Sequence, residues 1–438
     1  MNRRDFMKTT VMAGATAALT GTARAAVPPS DRLTVGFIGC GARAHQHLQT
    51  VAGMPGIEVT AVCDAYTGRA ERAVARTGGR ARIVADYHEV LADPSIDTVF
   101  IVTPDHWHKA MTLGAVQAKK DVYLEKPMSY SVADGLAILQ GVRATDRIVQ
   151  VGSQGVSGAD MAKARELVKA GRIGQVTMVR AAYNRNSDGG AWLYPIPPDA
   201  GPRTVNWDAF LGPAPKRPFD LERFFRWRCY WDYSGGIATD LFVHLVSWLD
   251  FAVDAKMPRT IVATGENYRH TKTHEVPDTV NALLEYPEGF TANLCCTFNN
   301  EHGSQSGLEI LGTEGSLLLR DGLLFRPEPR REDNRWVVDS WPEKLEQAYY
   351  DDPKVQQIES PWTWPGTMVA GEESWQPQGR DADYRHIANF FDCVRTRRQP
   401  VEDVVFGHRA ASCAHMVNRS IREKRVVEWD FDKEQDRT

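Results

Sequence analysis

The sequence predicts an α/β chain in two parts, a doubly wound parallel sheet followed by an α/β domain whose sheet is mostly antiparallel. Three observations lead there. Between residues 31 and 152, apolar runs alternate with helical stretches of about 10–15 residues, the signature of parallel strands with helical crossovers. A glycine turn, Gly39-x-Gly41-x-x-Ala44, joins the first apolar run to the first helix. From about residue 260 the pattern changes to strands joined by short turns, which implies antiparallel pairing.

The chain opens on "NRRDFMK", with Arg3 and Arg4 adjacent. A weakly apolar run, "TTVMAGATAALTGT", and then Ala23-Arg24-Ala25 complete the layout of a bacterial twin-arginine signal peptide. The run is too short and too rich in small residues to span a membrane. No cysteine follows for a lipid anchor. Residues 1–25 are therefore read as a signal peptide, with the mature chain starting near Ala26, and the protein as periplasmic or secreted. The twin-arginine export machinery is then its first partner, and no stable membrane anchor is expected.

The first domain is placed at 26–152. "LTVGFIG" reads as a strand buried on both faces, with a helix from Ala42. "IEVTAVCD", "IDTVFIVTP", "DVYLEK" and "IVQVGS" read as later strands, with helices near 106–118 and 131–145 between them. The second domain is placed at 153–438. "GQVTMVRAAYN" reads as a long strand, and 186–234 is rich in Trp, Tyr, Pro and Gly. A helix is expected from Thr239 to about Val253. Hairpins follow, turning at Pro287-Glu288-Gly289, Gly312–Gly315 and Asp321-Gly322. Residues 330–380 read as a polar excursion, and helices near 381–398 and 407–422 close the chain.

Composition narrows the function. The 438 residues carry 52 Lys and Arg against 56 Asp and Glu, a formal charge of −4. The signal segment removes four basic groups and one acidic group, so the mature chain is more acidic still. That argues against an electrostatic grip on nucleic acid. Seven cysteines form no framework spacing, so no disulfide scaffold is expected. His106 with His108, or His270 with His274, offers two imidazoles without an evident third ligand, so no metal is expected.

The glycine turn carries chemistry. Gly39 permits the tight turn, Gly41 lets a pyrophosphate approach the backbone, and Ala44 allows close helix–strand packing. Cys40, Ala42 and Arg43 complete this cradle. Asp64 ends the second strand 25 residues after Gly39, near the spacing of the acid that holds an adenosine ribose. A carboxylate there repels a 2′-phosphate, which favours NAD over NADP. Asp240 and His244 lie four apart, on one face of the expected helix, with Asp240 in its first turn.

Taken with "VTPDHWHK", "LEKPMSY" and "GGIATDLFVHLVSW", this cradle resembles the Gfo/Idh/MocA family of nicotinamide-dependent sugar and polyol oxidoreductases over nearly the whole mature chain. The resemblance implies a Rossmann domain and a C-terminal domain with a large open sheet that often joins subunits, hence a homo-oligomer. It implies that Thr103, Pro104, His108, Glu125, Lys126 and Gln154 lie at the cofactor, with Lys126 touching both nicotinamide and substrate hydroxyl. His244 then serves as base or proton shuttle, oriented by Asp240. Tyr183, Asn184, Arg185, Arg228 and Tyr230 are candidates for the sugar.

Export bears on mechanism. Free NAD is expected to be scarce outside the cytoplasm, so a dehydrogenase that released NADH there would stall. A tightly bound cofactor, regenerated in place, avoids this. A redox-neutral glycosidase, which oxidises, eliminates, hydrates and re-reduces, is the first alternative. The exported NAD-dependent glycosidases of family 109 resemble the chain in signal and cradle, but "GGIATDLFVH" stands where they carry Tyr-Pro-Thr-His. A catalytically silent sugar-binding protein is the second alternative.

Overall fold

A computed structural model of the chain describes residues 32–301, 307–328, 334–358 and 371–437. The expected signal peptide, and part of the expected excursion at 330–380, lie outside them. Among the described residues, the first sheet holds β1 (Leu33–Ile38), β2 (Ile57–Cys63), β3 (Arg82–Val84), β4 (Thr98–Ile101), β5 (Asp121–Glu125) and β6 (Val149–Gly152). Their order is β3-β2-β1-β4-β5-β6, all parallel. The order reverses between β1 and β4, the switch point where such sheets bind ligands at the strands' C-terminal ends. Residues of β4, β5 and β6 are all buried, which explains why these strands are mostly apolar without alternation.

The second sheet is built from β7 (Val176–Asn184), β8 (Thr260–Glu266), β9 (Thr279–Tyr286), β10 (Phe290–Thr297), β11 (Gly307–Gly312), β12 (Gly315–Arg320), β13 (Gly322–Pro327), β14 (Glu373–Trp375), β15 (Val427–Asp430) and β16 (Gln435–Asp436). Its order is β14-β13-β12-β11-β7-β10-β9-β8-β15-β16, antiparallel except where β7 and β10 run parallel at its centre. In β9 and β10 every second residue is buried and those between are exposed or half-buried, so one face is packed and the other is left open. The packed face receives the helices Val243–Val253 and Val404–Glu423.

The helix Ala382–Thr396 follows the second sheet in sequence yet packs on the first. Its stripe of Ile387, Phe390 and Phe391 joins the core formed by Phe37, Phe100 and Tyr123, with Phe390 edge-on to Phe100 at 5.7 Å. This carries its N-terminal turn back over the glycine cradle. The expected excursion holds short helices at Arg335–Val338, Glu343–Tyr350 and Pro353–Ile358.

Candidate active site

β1 ends in a turn that only glycine accommodates well. Gly39 has φ +86°, and a Cβ there would meet the carbonyl oxygen of Val102 at 2.5 Å. Gly41, at the head of the helix Ala42–Ala52, has no atom within 4 Å of where its Cβ would stand. That helix has no side-chain cap and no acidic residue in its first turn. Its leading N–H groups thus remain available to an anion, aided by the helix dipole. Asp64 accepts hydrogen bonds from the backbone N–H groups of Cys40 at 2.6 Å and Tyr66 at 2.8 Å, which fixes its carboxylate at the end of β2. Open glycine, uncapped helix and fixed carboxylate suit the diphosphate and ribose of a dinucleotide.

Cradle and carboxylate line one continuous cavity of about 1310 Å³. Thr103, Pro104, Glu125, Lys126, Gln154, Tyr183, Arg185, Arg228, Asp240 and His244 line it as well. Lys126 follows β5. Its Nζ donates to Asp240 Oδ1 at 2.7 Å and to the Asp240 carbonyl at 2.8 Å. Arg228 Nε donates to the same Oδ1 at 3.0 Å. Burial alone would raise the Asp240 carboxyl, but Lys126 and then Arg228 outweigh it and hold it far below the usual range.

Glu125 is the second hub. Its Oε1 accepts from Gln154 at 2.8 Å, meets His47 Nε2 at 2.7 Å and lies 3.4 Å from Arg43. Burial would raise this carboxyl, yet His47 and Arg43 together hold it well below its ordinary value. Glu125 thus acts as a buried clamp that sets the positions of Arg43, His47 and Gln154.

The structure corrects several expectations. His108 is fully buried and lies away from the cavity. Its Nδ1 contacts the Pro127 carbonyl at 2.7 Å and its Nε2 the Thr103 carbonyl at 3.1 Å, so it braces two loops and does not line the cofactor space. The Cys40 side chain turns into the core toward the Cys63 carbonyl, leaving only its backbone at the cradle. Tyr230 lies under the Arg223 guanidinium at 4.2 Å, outside the cavity lining, as does Asn184.

Among the described residues no hydrogen bond joins Asp240 to His244. Asp240 sits in a π-helical turn, Ala238–Phe242, that precedes the α-helix Val243–Val253, and its carboxylate is spent on Lys126 and Arg228. The His244 ring has no hydrogen bond within the chain among the described residues. It faces the cavity beside Tyr183 and Trp248, with ring centres 6.0 and 6.1 Å away. Burial first, and then Lys126, lower its pKa to about 3, so the imidazole is neutral across the physiological range.

Residues that sequence reasoning missed form the cover. Tyr66 pairs with Val205, and Asn206 N–H donates to the Ala65 carbonyl at 2.7 Å. The Tyr66 hydroxyl donates to Asp199 at 2.7 Å. Arg69 lies over the Phe225 ring at 5.0 Å. The segment 186–234 thereby closes over the ribose end of the cavity. At the phosphate end, Arg43 Nη2 donates to Asp383 at 2.6 Å, so the helix Ala382–Thr396 meets the cradle. Trp248, four residues after His244, is the one lining residue whose spacing could have revealed it. Among the described residues, no group of three or more His, Cys, Asp or Glu side chains could hold a metal ion.

Comparison with known proteins fits this geometry. Residues 33–153 match the Gfo/Idh/MocA model described as an oxidoreductase family with an NAD-binding Rossmann fold, and residues 202–318 match the C-terminal domain of the same family. The chain belongs to the Gfo/Idh/MocA oxidoreductase family. Residues 1–20 match the twin-arginine translocation signal, which marks this family member for export. Among the described residues no helix is long and apolar enough to cross a membrane. A scyllo-inositol 2-dehydrogenase (NAD(+)) of Bacillus subtilis is 27% identical over 285 residues, 64% of this chain and 72% of that protein. The fold is shared with a levoglucosan dehydrogenase solved with NADH and levoglucosan, at TM-score 0.66 and 18% identity over 91% of this chain and 99% of that one. It is shared equally with an aldose-aldose oxidoreductase from Caulobacter crescentus complexed with glycerol, at TM-score 0.65 and 17% identity over 91% and 100%.

Proposed function

We propose that this exported family member moves a hydride between a ring secondary alcohol of a sugar, polyol or glycoside and an NAD that it holds tightly. The observation that carries the reading is one cavity joining the glycine cradle to Lys126, Asp240 and His244. Held at Gly39, Gly41 and Asp64, NAD would supply this cavity with an acceptor for the hydride of a carbinol carbon. The relatives named for inositol and levoglucosan dehydrogenation support an alcohol substrate of this class.

In this reading Lys126 Nζ, held by Asp240, donates a hydrogen bond to the substrate oxygen and stabilises its developing negative charge. His244, neutral and facing the cavity, takes the hydroxyl proton at a free ring nitrogen. Asp240 and Glu125 act as positioning residues for Lys126 and Gln154. Asp64 at the ribose end favours NAD over NADP. The covers at both ends favour a retained cofactor, which suits a compartment poor in free NAD. The open face of the second sheet, where Val262 is 42% and Leu283 55% exposed, favours a homo-oligomer.

Screening polyols, aldoses and glycosides for nicotinamide reduction, with products identified by mass spectrometry, tests the reading. A ketone or lactone whose formation depends on Lys126 is expected. A glycoside hydrolysed with no net nicotinamide change would reassign the chain to the redox-neutral glycosidases. Sugar binding without any turnover would reduce it to a binding protein.

A further inference from the structure

The substrate end of the cavity holds more positive charge than its own carboxylates balance. Lys126, Arg228, Arg185, Asp240 and Glu125 line it, and Glu125 is already engaged by His47 and Arg43. Asp240 is already bonded to both Lys126 and Arg228. Asp105 is buried just behind them, and burial first and then Asp240 push its carboxyl up to about 7. His244 is neutral. Arg223, Arg226 and Arg217 in the neighbouring cap segment have carboxylate partners in Asp232, Glu275 and Glu222.

Arg185 has none. Among the described residues its guanidinium makes only two long contacts, Nη1 to the Gly190 carbonyl and Nη2 to the Tyr183 hydroxyl, both at 3.4 Å. It lies half-buried at the end of β7, its Cζ 5.1 Å from the centre of the Tyr183 ring. A guanidinium taken partly out of water without a counter-ion is costly, and its planar fork matches a two-oxygen anion. The same tyrosine packs within 6.0 Å of His244, so an anion on Arg185 would sit on the substrate that His244 deprotonates.

We propose that the substrate is a sugar acid, whose carboxylate is received by Arg185 while its ring hydroxyl lies at Lys126 and His244. This rests on the proposed hydride-transfer site and names its substrate class. A carboxylate fits better than a phosphate. Lys126 and Arg228 are both bonded to Asp240, so at this end of the cavity Arg185 alone among the described residues offers an unpaired guanidinium, and its planar fork matches the two oxygens of a carboxylate.

Calorimetric titration of the purified holoprotein with D-glucuronate, D-galacturonate and D-gluconate, beside D-glucose, D-galactose and glucose 6-phosphate, tests this without requiring turnover. At least one acid is expected to bind about 10-fold or more tighter than its neutral counterpart, the worth of a charge-assisted pair. The preference should vanish in Arg185→Gln, survive in part in Arg185→Lys and weaken with salt. Circular dichroism and retained dinucleotide would show that Arg185→Gln is folded. Equal binding of acids and neutral sugars, tightest binding of the sugar phosphate, no binding of any acid, or an acid preference that survives Arg185→Gln would each overturn the proposal. Neutral polyols oxidised while acids are ignored would sink it and leave the hydride-transfer reading standing. Acids bound through Arg185 but never oxidised would keep the carboxylate site and overturn both the hydride-transfer reading and the acid's role as substrate.

Discussion

The floor and the cover of the cavity are built in different ways. The floor is made where strands of the first sheet end: the Gly39 turn after β1, Asp64 after β2, Glu125 closing β5 and Lys126 beyond it. Each stands where a parallel strand delivers it, and each is announced by a short local motif. The cover is made by segments distant in sequence, Tyr66 on Asp199 and Arg43 on Asp383, and no local pattern announces either. On the proposed function, chemistry belongs to the floor and retention of the cofactor to the cover. Variants in the two regions should therefore fail differently.

The largest effect is expected from Lys126→Ala. Turnover should fall by about a thousandfold or more, the scale of a lost charge-stabilising proton donor, while dinucleotide binding stays measurable. Near-normal turnover would remove Lys126 from the chemistry. Glu125→Ala should cost about 3–5 kcal/mol of stability, because it takes the buried carboxylate from His47 and Gln154 and leaves Arg43 to Asp383 alone. A thermal midpoint within a degree or two of the wild type would contradict the clamp described for Glu125.

These floor residues were legible in the sequence, but their partnerships were not. Lys126 and Asp240 stood out in separate motifs 114 positions apart, and only the fold brings them to 2.7 Å. The four-residue spacing of Asp240 and His244 suggested a shared task that the π-helical turn cancels, because Asp240 is turned toward two cations instead. His108 carries the same ambiguity. An imidazole opening a helix can face a ligand or the core, and the carbonyls of Thr103 and Pro127 that claim it lie on other loops. Helix Ala382–Thr396 read correctly as a helix, yet its docking on the first sheet depends on complementary shape at Phe100 and Tyr123.

A smaller effect sharpens the contrast from the other side. Tyr66→Phe removes the bond to Asp199, worth about 1 kcal/mol, so cofactor release should quicken about fivefold with chemistry on bound cofactor unchanged. A changed hydride-transfer rate with unchanged release would break the division between floor and cover.

The smallest effect concerns pH. With its folded pKa lowered to about 3, His244 should leave turnover flat from pH 8 down to about pH 5, with no inflection near 6.5. Stability follows the same sign. His106, His386 and His415 are each lowered to about 4, in every case by burial first. The unfolded chain therefore takes up protons that the folded chain refuses. The stability gained from neutral buried histidines is complete above about pH 6.5 and is lost as pH falls toward 4. Thermal midpoints measured across that window should drop steadily, and a flat profile would contradict the burial assigned to these imidazoles.

The central claim is that this exported oxidoreductase carries its nicotinamide cofactor with it. The direct measurement is the dinucleotide content of the protein purified from the exported fraction, after extensive desalting, by nicotinamide absorbance and mass spectrometry. Close to one NAD or NADH per chain is expected. A cofactor-free protein that oxidises a polyol only with added NAD, and releases NADH to solution, would contradict it.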